Sequence, residues 1–288
     1  MNIQWYPGHM TKAKRQMQED IRIVDLLIEI VDARAPLSTR NPDIAVIGQG
    51  KARIMILNKA DLADERITAA WVRYFRDLGM DCMSLDSRSR AGLKRLSALI
   101  EHAAAEKRER DRRRGIQNRP VRAMAAGIPN VGKSTLINMI AGRGAAKTGN
   151  KPGVTKGDQW IRLNRSVELL DTPGILWPRF EDPEVGKKIA FIGSVSDLVV
   201  NETELAAELL SHLEREGFGE LVEARYGVRE GTPGELLSAI AVKRGCLKSG
   251  GEADLKKASE LLLNEYRTGV LGRISLERPE GGKEQEDA

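Results

Sequence analysis

Three short motifs stand in this chain in an order that restricts what it can fold into. Asn58-Lys59-Ala60-Asp61 comes first, Gly127-Ile128-Pro129-Asn130-Val131-Gly132-Lys133-Ser134 second, and Asp171-Thr172-Pro173-Gly174 last. Each follows an apolar run bounded by polar residues (Arg53–Leu57, Val121–Ala126 and Val167–Leu170), the pattern of a buried parallel strand. Together they are the pieces of one guanine-nucleotide site, in which the base-reading Asn-Lys-x-Asp ordinarily follows the other two. A chain that carries it first closes the same sheet with its ends elsewhere, so the order predicts a circularly permuted GTPase. The loop that senses the third phosphate then runs straight into whatever follows residue 180.

The chemistry of each motif supports that assignment. Gly127 to Ser134 matches the phosphate-loop pattern at every fixed position and opens a helix. Its glycines let backbone N–H groups wrap the phosphates at a helix N-terminus. The candidate binding residues there are Asn130, Val131, Gly132, Lys133, Ser134 and Thr135. Lys133 is expected to reach the outer phosphates and the Ser134 hydroxyl to bind Mg²⁺. Asn58, Lys59 and Asp61 select the base, because a carboxylate at Asp61 accepts from both the ring N–H and the exocyclic amine of guanine, whereas adenine offers the wrong donors. Ser84 to Ser87 lies where a second base-contacting loop belongs, with Ser87 the candidate, although these residue types are unspecific. Asp171 is expected to hold Mg²⁺ through water and the Gly174 N–H to meet the γ-phosphate. Thr155, in Pro152-Gly153-Val154-Thr155, is either a switch threonine that ligates Mg²⁺ in the triphosphate state or an ordinary loop residue. After Gly174 comes Ile175, where Ras-like enzymes place a glutamine that orients the attacking water. Isoleucine neither donates nor accepts, so hydrolysis must draw on another group and is expected to be slow until a partner or another segment completes the site.

Further apolar runs at Asp25–Asp32 and Asp81–Leu85 add strands, and Gln159–Leu163 is expected to form a hairpin with the run at Val167. Helical patterns occupy Asp64–Leu78, Gly92–Arg114 and Lys133–Ala141. Strands alternating with helices predict an α/β fold, a mostly parallel sheet with flanking helices. Residues from Pro183 to about 268 read as helical, so a smaller all-α domain is expected over 179–272, after a GTPase domain over 1–178. The polar end, 273–288, reads as a disordered tail. Two cysteines, Cys82 and Cys246, match no metal or redox spacing and read as reduced thiols. With no secretory signal and no apolar run of membrane-spanning length, a cytoplasmic, membrane-free protein is expected. The net charge of +5 conceals a division: residues 1–179 hold 32 Lys/Arg against 19 Asp/Glu, and residues 180–288 hold 14 against 22. So basic a nucleotide-binding half, with clusters at Lys12–Arg15 and from Lys107 to Arg122, favours a nucleic-acid partner over solvated helix faces alone.

The chain also resembles a known family. Trp5-Tyr6-Pro7-Gly8-His9-Met10-x-Lys12-Ala13 and Asp32-Ala33-Arg34-x-Pro36-x-Ser38-x-Arg40-Asn41-Pro42, together with the nucleotide motifs in this order, are similar to the YlqF-like ribosome-biogenesis GTPase A family, from the opening segment to roughly residue 270. The resemblance implies a factor acting late in assembly of the large ribosomal subunit. It would bind the immature particle, rRNA and ribosomal proteins with GTP and leave after hydrolysis to GDP, as a monomer. It implies a catalytic role for His9 in place of the missing glutamine, K⁺ bound at Asn130 as an activator beside Mg²⁺, and RNA binding by the helical domain. For that domain, with its acidic balance, RNA contact requires a concentrated basic face such as Lys243-Arg244 and Lys256-Lys257. A nucleotide-gated RNA-binding module with negligible turnover of its own remains the alternative.

Overall fold

Six strands build one sheet in the order β3-β2-β1-β4-β6-β5: β1 (Leu26–Asp32), β2 (Ala52–Asn58), β3 (Asp81–Leu85), β4 (Val121–Ala126), β5 (Gln159–Arg162) and β6 (Val167–Asp171). The computed structural model describes residues 8–116, 119–142, 159–163, 166–177, 180, 182–195 and 201–279. Neighbouring strands run parallel except β5, which pairs antiparallel with β6 in the expected hairpin, Gln159 opposite Asp171 and Arg162 opposite Glu168. β1 is buried along its whole length, as a central strand covered on both faces must be. It also marks the reversal of connection, since β2 and β3 extend the sheet on one side and β4, β6 and β5 on the other. The crevice between the carboxyl ends of β1 and β4 is therefore the topological switch point, where an open α/β sheet binds ligands.

The helices are α1 (Gly8–Asp20), α2 (Pro42–Ile47), α3 (Glu65–Asp77), α4 (Leu93–Ala103), α5 (Ala105–Arg113), α6 (Lys133–Ala141), α7 (Pro183–Phe191), α8 (Glu202–Arg215), α9 (Gly219–Tyr226), α10 (Pro233–Lys243) and α11 (Leu255–Thr268). Most declare their starts in sequence. Asp64, Asp182, Asn201 and Asp254 each accept a backbone N–H as an N-cap, and Thr232 with Glu235 closes a capping box before α10. The expected helix over 92–114 divides at Ala104. Leu96 and Ile100 bury the first half, whereas α5 buries nothing and is held by surface pairs such as Lys107 with Asp111 and Arg113 with Glu109. Two helices carry no clear sequence pattern, α1 and the short α2; they pack Met17 and Ile44, with Ile21 just after α1, against Leu27, Met124 and Leu170 of the sheet.

A single apolar cluster runs from the other sheet face into the C-terminal helices, joining Ile128, Val131 and Leu136 to Ile189, Phe191, Leu209, Leu262 and Leu271. The expectation of a disordered tail from residue 273 is corrected for residues 273–279. Ile274 and Leu276 are buried, with Ile274 N–H donating to Leu62 O (3.0 Å) and Leu276 N–H to Arg34 O (2.7 Å). Glu277 accepts from the Leu37 and Ser38 N–H groups and from Ser38 Oγ (2.7 Å), and its own carbonyl accepts from Trp71 Nε1 (3.1 Å). The polar composition of this stretch hides these six hydrogen bonds, which return the chain to the nucleotide half. Both cysteines are free and buried, and burial pushes the Cys82 thiol up to about 12. No described helix is long and apolar enough to cross a membrane.

Candidate functional site

Every described motif residue lies at the carboxyl ends of the strands. Asn58 closes β2, the phosphate loop leaves β4, and Asp171 closes β6. In the phosphate loop, Asn130 (φ 61°) and Gly132 (φ 92°) take left-handed backbone, which curls the loop around a central space. A side chain at Gly132 would also collide with the Asn58 amide. Lys133 opens α6 almost fully buried, its Nζ donating to Gly127 O (3.1 Å) and Ile128 O (3.0 Å) of its own loop. Burial lowers its pKa to about 8, with the Asp171 carboxylate opposing the shift. A phosphate in the loop would stabilise the charged form of the lysine and draw its pKa back up.

The Asp171-Thr172-Pro173-Gly174 turn is pressed against this loop. Thr172 Oγ1 donates to Ala125 O (2.8 Å), tying the turn to β4. A Cβ on Gly174 would lie 2.8 Å from the Pro129 backbone and 2.9 Å from Lys133 Nζ, so only glycine allows the approach. Asp171 is buried, which raises its pKa to about 6 although Lys133 pulls it down, and its Oδ1 has no hydrogen-bond partner among the described residues. A buried carboxylate oxygen left unpaired at the end of β6 is the kind of ligand that a hydrated Mg²⁺ takes. Ser134 is the second residue of α6.

At the base end, the structure separates two roles that the sequence joins. Asp61 pairs with Arg88 through Oδ2, while Oδ1 is buried without a partner among the described residues and suits a base edge that carries donors. Burial and the neighbouring Asp86 raise its pKa, and Arg88 counters them. Asn58, by contrast, spends its amide on the protein. Its Nδ2 donates to Val131 O (2.7 Å) and its Oδ1 accepts from Ser87 N–H (3.2 Å), so it staples the phosphate loop, the base-reading turn and the 85–87 loop together. Ser87 is thereby brought to the site, and a Cβ on Gly132 would lie 3.6 Å from its hydroxyl. Lys59 stands at φ 59° with Nζ 3.1 Å from Asp32.

Ile175 does not face this space. It is buried among Met17, Leu27, Ile44 and Leu170, and its carbonyl accepts from Asn41 Nδ2 (2.8 Å). The turn after Gly174 is thus anchored under α1, the helix whose first residues include His9. The side chain of His9 lies outside the described residues, as does Thr155. Val131 is buried in the loop, Thr135 follows in α6, and Asn130 Nδ2 donates to Gly193 O (2.6 Å) just beyond α7.

Sequence reasoning noted the Asp-Ala-Arg stretch without a role for it. Asp32 and Arg34 form a buried two-bond ion pair beside Lys59 (2.9 and 2.8 Å). The visible signal was an aspartate ending a strand that is apolar but for Glu29.

A phosphate loop on one side of the switch point, a base-reading turn before it in the chain, and a metal-sensing turn after it define a circularly permuted P-loop GTPase. A model of the 50S ribosome-binding GTPase family matches residues 122–222, from β4 onward, leaving the upstream base-reading motif outside the match. The chain is 46% identical over 287 residues to the ribosome biogenesis GTPase A of Bacillus cereus, covering 99% of this chain and 97% of that one. It is 34% identical to the protein of that name from Thermotoga maritima, covering 96% and 95%. Among solved structures it is similar to GNP-bound YlqF from T. maritima, with a TM-score of 0.65, 31% identity and coverage of 93% and 99%. It is also similar to a GDP-bound YlqF structure, with a TM-score of 0.66 and 29% identity over 92% of this chain and 100% of that one. The chain belongs to the ribosome biogenesis GTPase A family and is a GTPase.

Proposed function

We propose that this GTPase is an assembly factor of the large ribosomal subunit that holds the precursor in its GTP form and leaves after hydrolysis. The observation that carries the reading furthest is the direct bond from the phosphate loop to the helical region, Asn130 Nδ2 to Gly193 O at 2.6 Å. Full-length likeness to proteins named ribosome biogenesis GTPase A supplies the particle. In this reading GTP is held by Asn130 to Thr135, Gly174, Asp61 and Lys59, with Asn58 and Ser87 bracing the base end. Mg²⁺ is held by Ser134 and Asp171, joined by Thr155 in the triphosphate state. K⁺ at Asn130 supplies positive charge that other GTPases take from an arginine. The buried Ile175 leaves the attacking water without a protein amide, and His9 is our candidate to orient it.

The GTPase domain is assigned to 1–178 and the helical domain to 179–272, acting in the cytoplasm as a monomer. In the helical domain Lys243, Arg244 and Lys257 line one groove with Glu260, Leu261 and Asn264, and these three cations support RNA contact there although Glu260 and the Arg244–Glu265 pair offset part of their charge. Loss of the γ-phosphate would free Gly174 and Thr155, and the linker that follows residue 178 would re-aim the helices.

The test is GTP turnover in K⁺ and Na⁺ buffers, alone and with purified large subunits or assembly intermediates, for wild type and His9→Ala. Particle-stimulated turnover lost in the variant supports the whole reading. Stimulation retained in the variant keeps the assembly role and moves the water-orienting group to the particle. Absence of stimulation by any particle would make the protein a nucleotide-gated binding module instead.

A further inference from the structure

The base-reading turn is braced from behind by the far end of the chain. Lys59 leaves β2 with left-handed backbone, a conformation that costs a non-glycine residue about 1–2 kcal/mol. That conformation turns the chain so that Asp61, two residues on, faces the crevice. Two sets of contacts hold it. Lys59 Nζ, partly exposed, meets the buried Asp32 at Oδ2 (3.1 Å), and Asp32 is itself gripped by the buried Arg34 through Nε (2.9 Å) and Nη2 (2.8 Å). Arg34 lies over the Tyr266 ring of α11, 5.2 Å from its centroid. The second set comes from the segment after α11. Ile274 N–H donates to Leu62 O, Ser275 Oγ accepts from Asp64 N–H (3.2 Å), and Leu276 N–H donates to Arg34 O. Thus the turn of residues 58–64 meets residues 274 and 275 at two points, and Arg34, which grips it through Asp32, meets Leu276 and Tyr266 of α11 at two more.

We propose that Asp32 and Arg34 are positioning residues for guanine recognition, and that the base site is complete only while α11 and residues 274–276 are docked on them. Guanine-nucleotide binding and docking of the helical region are then coupled, and the coupling is reciprocal. It acts at the base end, so it affects GDP and GTP equally, unlike a switch that senses the γ-phosphate. A partner that draws α11 away from Arg34 would promote release of whichever nucleotide is bound. The proposal rests on the guanine site described above.

The experiment uses full-length Arg34→Met and Tyr266→Leu, which keep apolar volume while removing the fork and the aromatic face. Binding of GDP and of a non-hydrolysable GTP analogue is measured at 10 °C, with GTP turnover at saturation. The expected result is an equal rise in both Kd values, about tenfold, with kcat changed less than twofold. A role in stability alone would lower the melting temperature and leave both Kd values at wild type, which would overturn the proposal. Loss confined to the GTP analogue would overturn it as well. Amide exchange on wild-type protein needs no variant to fold. GDP should slow exchange at Ile274 and Leu276, and unchanged exchange there in GDP-saturated protein refutes the coupling. Failure of the guanine assignment would look different, as wild type that prefers ADP to GDP.

Discussion

Replacing Asn58 by alanine separates a bracing role from direct contact with nucleotide. The substitution removes two buried bonds, Nδ2 to Val131 O at 2.7 Å and Ser87 N–H to Oδ1 at 3.2 Å, and strands a carbonyl and an N–H in the interior. Leaving one buried group unpaired costs about 1–3 kcal/mol. With two such groups and partial relaxation of three adjoining loops, a loss of roughly 2–4 kcal/mol is expected. At about 2–4 °C per kcal/mol for a chain of this size class, the nucleotide-free melting temperature should fall by roughly 5–15 °C. Asn58→Asp is the informative companion, because it keeps the acceptor for Ser87 while setting a carboxylate against the Val131 carbonyl. It should destabilise the nucleotide-free protein too, and more at pH 8 than at pH 5. Calorimetric melting without nucleotide, together with GDP titration at 10 °C, reads both effects. If Asn58→Ala melts like wild type and only GDP affinity falls, Asn58 contacts the nucleotide and the bracing argument is wrong.

Other consequences are as direct. Gly174→Ala puts a methyl 2.8 Å from the Pro129 backbone, some tenths of an ångström inside normal contact, and should cost about 1–3 kcal/mol while weakening GTP more than GDP; equal affinities for both would contradict it. His212 is buried with Nε2 donating to Leu276 O (3.0 Å) and Nδ1 accepting from Arg215 (3.0 Å), which leaves no site for a second proton. Burial, together with Arg215 and Lys188, lowers its pKa from 6.5 despite Glu216 and the Leu276 carbonyl. The neutral form is favoured on folding, so its contribution is full above pH 6.5 and is lost as pH falls below that value. Wild type should therefore lose stability relative to His212→Gln between pH 7 and 5 in urea titrations, and parallel curves would refute the assignment. Glu277→Ala leaves the Leu37 and Ser38 N–H groups and Lys188 (3.4 Å) without their carboxylate, so about 1–3 kcal/mol should be lost. An unchanged urea midpoint would show that the end of the chain does not hold the 37–38 turn.

Elements with strong local signals read correctly from the sequence. Helix α3 lies between its Asp64 cap and Leu78, and the hairpin of β5 and β6 has the expected pairing. Helix α2, six residues long, went unread and the segment 273–279 reads as disordered because their order comes from partners far away in the chain, such as Met17 and Leu27 for one and Trp71 and Ser38 for the other. The division of α4 from α5 reflects where burial stops, and no propensity marks it.

The identity of the site was legible in residue types alone, because phosphate, guanine and metal each demand particular groups at short spacings, and spacing survives a permutation. What each residue does there depended on folding. Asn58 turned out to be a staple, Ile175 a buried anchor beneath α1, and Asp32 with Arg34 a brace reaching α11. These roles are set by which neighbour satisfies a buried polar group or covers an apolar one. That neighbour is often more than a hundred residues away, where local spacing carries no information about it.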